Sequence, residues 1–175
     1  FLLGTLSLPL GLLYGAFTLA YRYLRRDGLF FSALVVPSLW VVFDFLKELV
    51  PLYLPWGLAG YGLAGFPRLI QAADLFGVHG LTFSIVLVNS LVAHAFVKSG
   101  APLAAPGEKL LYLARYAKRA ALENRLPLGI AAGAVAALAL YGAIQVPRWR
   151  AMMERVPAAE RITARVVQGS FTHRH

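Results

Sequence analysis

Along the chain, long apolar runs alternate with short links rich in arginine and lysine. Residues 1–21 carry no charge, and a helix needs about 20 apolar residues to cross hydrocarbon. Arg22, Arg25 and Arg26, against Asp27, close that run. A second run starts at Gly28 and continues through Asp44 to residue 46. Residues 49–67 stay apolar but are interrupted by Pro51, Pro55 and Pro67 and by Gly57, Gly60, Gly62 and Gly65. Proline removes a helical hydrogen bond and glycine weakens a helix. The pattern therefore predicts an irregular or re-entrant segment around Leu54-Pro55-Trp56, with an interfacial loop anchored by Tyr53 and Trp56 as the alternative. Two more spans follow at 75–97 and 126–147, separated by a basic link at 98–125. The expected architecture is an all-α integral membrane bundle of about four to five transmembrane helices.

Polar positions within these runs add detail. Trp40, Asp44 and Lys47 fall on one helical face, and Asp44 and Lys47 at i, i+3 can pair, which lowers the cost of both charges. The competing reading leaves them wet at the headgroup level. In the run opened by Gln71 and Asp74, a stripe of His79, Thr82, Val86, Asn89 and Ala93 is expected to face the bundle. His79 reads as a satisfied interhelical histidine more readily than as a ligand or base, and no His/Asp/Glu set has metal-ligand spacing. Gly11 and Gly15, and Gly129, Gly133 and Ala137, repeat small residues every four positions, a spacing that lets helices approach closely. In the link, Leu110, Leu113, Ala117 and Ala121 oppose Arg115, Lys118 and Arg119, as in an interfacial helix on an anionic leaflet. Beyond residue 147 the chain turns polar and basic, and Ile162 to Gly169 reads as a strand opening a new domain.

Composition agrees with a membrane protein. The chain is 59% hydrophobic and 14% charged, with mean hydropathy +0.65, whereas soluble domains carry about 25% charge. It contains no cysteine, hence no disulfide, thiolate metal site or thiol nucleophile of its own. The net charge of +9 resides in links between apolar runs, which is how topology is encoded, and no aromatic-basic stripe points to nucleic acid. The links at 22–28 and 98–125 are expected to be cytoplasmic, and residues 44–74 and the tail from Arg148 outside. Phe1 opens the sequence with no charged n-region before the first apolar run, so that run is not read as a signal peptide and the chain reads as a trimmed one.

Several blocks resemble the apolipoprotein N-acyltransferases, bacterial inner-membrane enzymes. Trp40-x-x-x-Asp44-x-x-Lys47 resembles the family's Trp-x-x-x-Glu-x-x-Arg. Leu54-Pro55-Trp56 before Gly60-Tyr61 resembles Phe-Pro-Trp followed by Gly-Tyr. Gln71-Ala72-Ala73-Asp74, Gly77-Val78, Gly80-Leu81, Phe83 and Asn89 form the closest match. Val166-Val167-Gln168-Gly169 resembles the strand that opens the family's nitrilase-like α/β domain. The resemblance runs from about Gly28 to Gly169.

It implies transfer of an acyl chain from a phospholipid donor, typically phosphatidylethanolamine, to the N-terminal diacylglyceryl-cysteine of a lipoprotein through a cysteine thioester, with no cofactor. The catalytic Glu, Lys and Cys of the family belong to the nitrilase-like domain, so this chain would hold no catalytic residue and act as the membrane portion. It would be divided into a helical domain at 1–147 and a linker with the first strand at 148–175. Trp56, Tyr61, Gln71 and Asp74 would support lipid entry, and Asp44 and Lys47 would form a structural pair. A transporter fragment and a structural membrane subunit are the competing readings, the first motivated by the broken segment at Pro55 and the second by Gly129 and Gly133.

Overall fold

The computed structural model describes residues 2–49, 57–100 and 109–156, with residues 2–6 and 109–115 as backbone alone. The expected Leu54-Pro55-Trp56 break and the strand expected at 162–169 lie outside the described residues. The elements are helices: α1 (Leu2–Leu24), α2 (Val36–Leu49), α3 (Pro67–Ile70), α4 (Ala73–Lys98), α5 (Lys109–Glu123) and α6 (Arg125–Arg155). A π-helical stretch, Phe31–Val35, leads into α2, and a 3-10 turn, Ala59–Leu63, precedes α3.

Side-chain pairs give the directions. Phe17 of α1 meets Trp40 and Phe43 of α2 edge to face, and Tyr21 meets Phe31, so α1 and α2 run antiparallel. Glu48 reaches His79 while Ser32 reaches His94, so α4 reverses α2. Asp74 reaches Tyr141 while Asn124 reaches Ser99, so α6 reverses α4. Both basic links therefore share one end of the bundle. Residues 44–48, the turn after Gly57 and the region of Tyr141 share the other. The helix expected at 126–147 runs on through Pro147 to Arg155.

Two of the expected spans, α4 and α6, are long and apolar enough to cross a membrane, each with a window of hydropathy 1.8. Only 22% and 17% of those windows is buried, so the hydrocarbon of both helices faces outward. An apolar surface of that extent fits a lipid surround rather than water. Lipid tails provide no hydrophobic drive between helices, and association rests on close packing and polar contacts.

The π-helical stretch has a definite cause. Proline at position 37 has no N–H and clashes with the preceding turn of an α-helix. Widening the turn avoids that clash: Val36 N–H donates to Phe31 O, the i to i+5 pattern. The next donor in that register would be Pro37, so Ser32 O is left without one. Ser90 of α4 supplies it, its hydroxyl donating to Ser32 O at 2.5 Å.

Two glycines allow backbone contact. Gly142 of α6 lies against the backbone of Arg68 in α3, where a Cβ would overlap the Arg68 carbonyl. Gly60 donates its N–H to the Thr82 hydroxyl at 3.0 Å, and a Cβ there would lie 2.5 Å from Val78 O. Within α4, Gly77 adopts φ 64° and ψ −172°, a conformation that side-chain-bearing residues rarely adopt; the helix continues in a new direction after its first turn. Gly129, Gly133 and Ala137 lie on an exposed face, and a Cβ at either glycine or at Gly11 or Gly15 would meet nothing within 4 Å. The small residues that pack in α6 are instead Ala131 and Gly142, with Pro127.

Removing the Ser90 hydroxyl leaves the Ser32 carbonyl unpaired, so Ser90→Ala is expected to destabilise the bundle by about 1 kcal/mol, read by reversible unfolding in mixed micelles. Gly142→Val forces α3 away from α6 and is expected to cost about 1–3 kcal/mol. Gly133→Val on the exposed face is expected to leave the same unfolding midpoint unchanged.

Candidate functional site

The end of the bundle opposite the basic links gathers most of the charged residues that the apolar runs contain. Asp44 and Lys47 lie one turn apart near the C-terminal end of α2 and are 1% and 4% exposed. Lys47 Nζ is 2.5 Å from Asp44 Oδ1 and lies 5.8 Å from the centre of the Tyr14 ring. The pair is thus buried, and the wet headgroup alternative does not hold. Among the described residues Asp44 Oδ2 has no hydrogen-bond partner, and Lys47 and the aromatic wall of Tyr14, Phe17 and Trp40 enclose this carboxylate. Such a pair compensates charges that would otherwise be very costly at this depth.

One turn further, Glu48 Oε1 lies 3.3 Å from His79 Nε2, both about three-quarters buried. The His79 ring also packs against Phe45, with centroids 5.7 Å apart. His79 is therefore an interhelical contact between α2 and α4. Among the described residues no group of three His, Asp or Glu is placed to hold a metal ion.

The second cluster joins the loop to the last helix. Tyr141 of α6 donates its hydroxyl to the Asp74 carboxylate, at 2.9 and 3.0 Å from the two oxygens. Gln145, one turn on, donates to the Tyr141 oxygen at 2.9 Å. Asp74 opens α4, where a carboxylate also suits the positive end of the helix dipole. Gln71, at the C-terminal end of α3, accepts through its backbone carbonyl from Asp74 N–H at 3.1 Å. Tyr61, in the 3-10 turn, is 53% exposed. The structure thus links Asp74 to Gln71 through the backbone and leaves Tyr61 on the surface; Trp56 lies outside the described residues.

The stripe expected on α4 divides. Thr82 is buried and bound to Gly60, and His79 is bound to Glu48, whereas Asn89 and Ala93 are exposed. The reason is the uneven packing around α4. Helix α1 rests chiefly on α2, which leaves a cleft of about 400 Å³ between α1 and α4 walled by Phe17, Trp40, Ile85 and Val86. Asn89 sits at its edge and also lines a smaller cleft toward α6 with Leu69, Val88 and Leu138. Both clefts are lateral and apolar, a shape suited to hydrocarbon chains. The helix expected in the basic link is present as α5; among its described side chains Ala120 is buried while Ala117 and Ala121 are exposed, and the side chains of Leu110 and Leu113 lie outside the described residues.

Sequence reasoning missed Tyr141 and Gln145. Their spacing of four on a helix, with a tyrosine and an amide inside an otherwise apolar span, was the available signal.

Comparison with known proteins adds the family. Residues 1–91 match the model of the apolipoprotein N-acyltransferase N-terminal domain. The apolipoprotein N-acyltransferase of Borreliella burgdorferi is 36% identical over 58 residues, 33% of this chain and 11% of that protein. Apolipoprotein N-acyltransferase 1 of Treponema denticola is 28% identical over 121 residues, 69% of this chain and 19% of that protein. The chain therefore spans a small part of the length of the relatives it matches. No solved structure matches it.

The buried pair is tested by a double-mutant cycle. Asp44→Asn or Lys47→Met alone leaves one buried charge uncompensated and is expected to cost about 3–5 kcal/mol. The double variant is expected to cost less than the sum of the two, measured by unfolding in mixed micelles; additive costs would show that the two side chains are not coupled.

Proposed function

We infer the function from the family: the chain belongs to the apolipoprotein N-acyltransferase family, with residues 1–91 matching its N-terminal domain, and is the membrane portion of such a transferase. On this reading the whole protein moves an acyl chain from a phospholipid to the amino group of a lipoprotein's diacylated N-terminal cysteine. The chain contains no cysteine, so a thiolate nucleophile would come from the family's nitrilase-like domain. The helices described here would position that domain and guide lipid to it. The protein would be multi-pass in the bacterial inner membrane, with the basic links cytoplasmic and the end bearing Asp44, Asp74 and Tyr141 facing the periplasm.

One observation supports this reading most directly. The Asp74–Tyr141–Gln145 hydrogen bonds join the start of α4, beside the irregular turn, to α6, which runs on past Pro147. A domain following α6 would thus be held in a fixed relation to the polar end of the bundle. The lateral apolar cleft between α4 and α6, beside Asn89 and Leu69, would admit acyl chains from the bilayer. Tyr61 and Gln71 flank that end and would contact lipid entering there, and Trp56 belongs to the same stretch of sequence.

The test is N-acylation of a diacylglyceryl-cysteine peptide in phospholipid vesicles. The natural gene product, including whatever follows Gly169, is expected to acylate the peptide, and the present chain alone is not. A gene product without acylation activity, or activity in this cysteine-free chain, overturns the reading. In the active protein, Tyr141→Phe removes the donor to Asp74 and is expected to lower the rate several-fold, with a loss of about 1 kcal/mol in stability.

A further inference from the structure

At the end opposite the Asp74–Tyr141 contact, a third cleft of about 250 Å³ opens between the end of α1, the π-helical stretch and the end of α4. Arg25, Arg26 and Lys98 line it, with Asp27 the one acidic group among the lining residues. None of the three cations forms an ion pair among the described residues. The floor is polar and preformed: Ser32 Oγ and His94 Nδ1 are 3.0 Å apart, and Ser90 is fixed on Ser32 O. Neutral lining would suffice for a passive gap between helices. Three cations with one acid leave a net positive cavity that lacks its counter-charge.

The same cleft continues into hydrocarbon. Tyr21, Val36 and Ser90 line both this cavity and the apolar cleft of about 400 Å³ between α1 and α4. A cationic recess that opens sideways into an apolar groove has the polarity profile of one phospholipid molecule, headgroup at one end and acyl chain at the other. A soluble anion would use only the first part. We propose that this composite cleft binds an anionic phospholipid, its phosphate among Arg25, Arg26 and Lys98 and one acyl chain along Phe17, Val36 and Trp40.

The bound lipid is a resident of the fold and distinct from an acyl donor. It lies at the end carrying both basic links, and bacterial cytoplasmic leaflets hold anionic lipid that basic pockets between helices recognise. By occupying the groove that α1 leaves open, it would tie α1 to α4, which otherwise meet little. The proposal is independent of the transferase reading, because it concerns the cationic recess and the groove between α1 and α4 and is read by lipid retention.

The chain is reconstituted in nanodiscs of phosphatidylcholine with a minor fraction of phosphatidylglycerol, transferred to detergent and examined by native mass spectrometry. Retention of phosphatidylglycerol over phosphatidylcholine is expected. R25Q/R26Q/K98Q is expected to reduce that retention on the order of tenfold or more. The charge-matched control R148Q/R150Q/R155Q, at the other end, is expected to retain it within about twofold, since charges beyond a Debye length are screened. Ala93→Trp obstructs the cationic recess without altering charge and is expected to displace the lipid; Ala93 is exposed, so folding is preserved, as checked by circular dichroism. Equal retention of the two lipids by the unaltered chain overturns the proposal, as does undiminished phosphatidylglycerol in R25Q/R26Q/K98Q or in Ala93→Trp. Displacement by soluble glycerol phosphate at the lipid's own concentration would also overturn it, because the acyl groove would then contribute nothing.

Discussion

Three hydroxyls along α4 connect it to three neighbours, and the bundle depends on them. Thr82 accepts the N–H of Gly60, Ser90 donates to Ser32 O, and Ser99 accepts from Asn124. In water such contacts would be secondary to burial of apolar surface. In lipid the helices gain nothing by hiding leucine, and backbone groups freed by proline or by irregular turns have no water to meet. The π-helical stretch and the turn at Ala59–Leu63 are tolerated because α4 carries hydroxyls at the heights where those segments present unpaired groups.

The same limit explains where the helices touch closely. Gly142 and Gly60 are positioned where one backbone meets another, and Leu81, Thr82, Leu91 and Ala95 form the buried side of α4. The rest of α4 and α6 is exposed hydrocarbon. The buried Asp44–Lys47 pair is the exception to apolar packing, and it occurs where aromatic rings of α1 and α2 close around it. The pair lies within α2, and α1 meets it through the Tyr14 ring, 5.8 Å from Lys47 Nζ.

The apolar runs and their breaks were legible as helices and links, since charge and proline are so poorly tolerated in lipid. Spacing allowed the Asp44–Lys47 pair without deciding it against a wet headgroup position, and it pointed Thr82 inward. What escaped the sequence was three-dimensional choice between equivalent signals. Gly129 and Gly133 repeat small residues as convincingly as any pair in the chain, yet Gly142 makes the contact, because α3 crosses α6 at that height. Asn89 lies on the same projected face as Thr82, but α1 rests on α2 and leaves a cleft beside α4 at that height, so the asparagine stays open. The π-helical stretch was also missed: the run from Gly28 to residue 46 was read as continuous, and the turn that Pro37 widens is completed by Ser90 of a helix distant in sequence. Likewise the Tyr141–Asp74 bond joins residues 67 positions apart, beyond the reach of any periodicity.

The length of α6 has a consequence of its own. At 31 residues it measures about 46 Å, against about 30 Å of hydrocarbon, and Tyr141 and Gln145 fix its azimuth two to four turns before it ends. The portion from Pro147 to Arg155 is therefore a stalk of set height and set angle. Each residue inserted there would raise whatever follows by about 1.5 Å and swing it by about 100° around the axis. Changes in length close to whole turns would preserve the heading, while a single-residue change would turn whatever follows away from it.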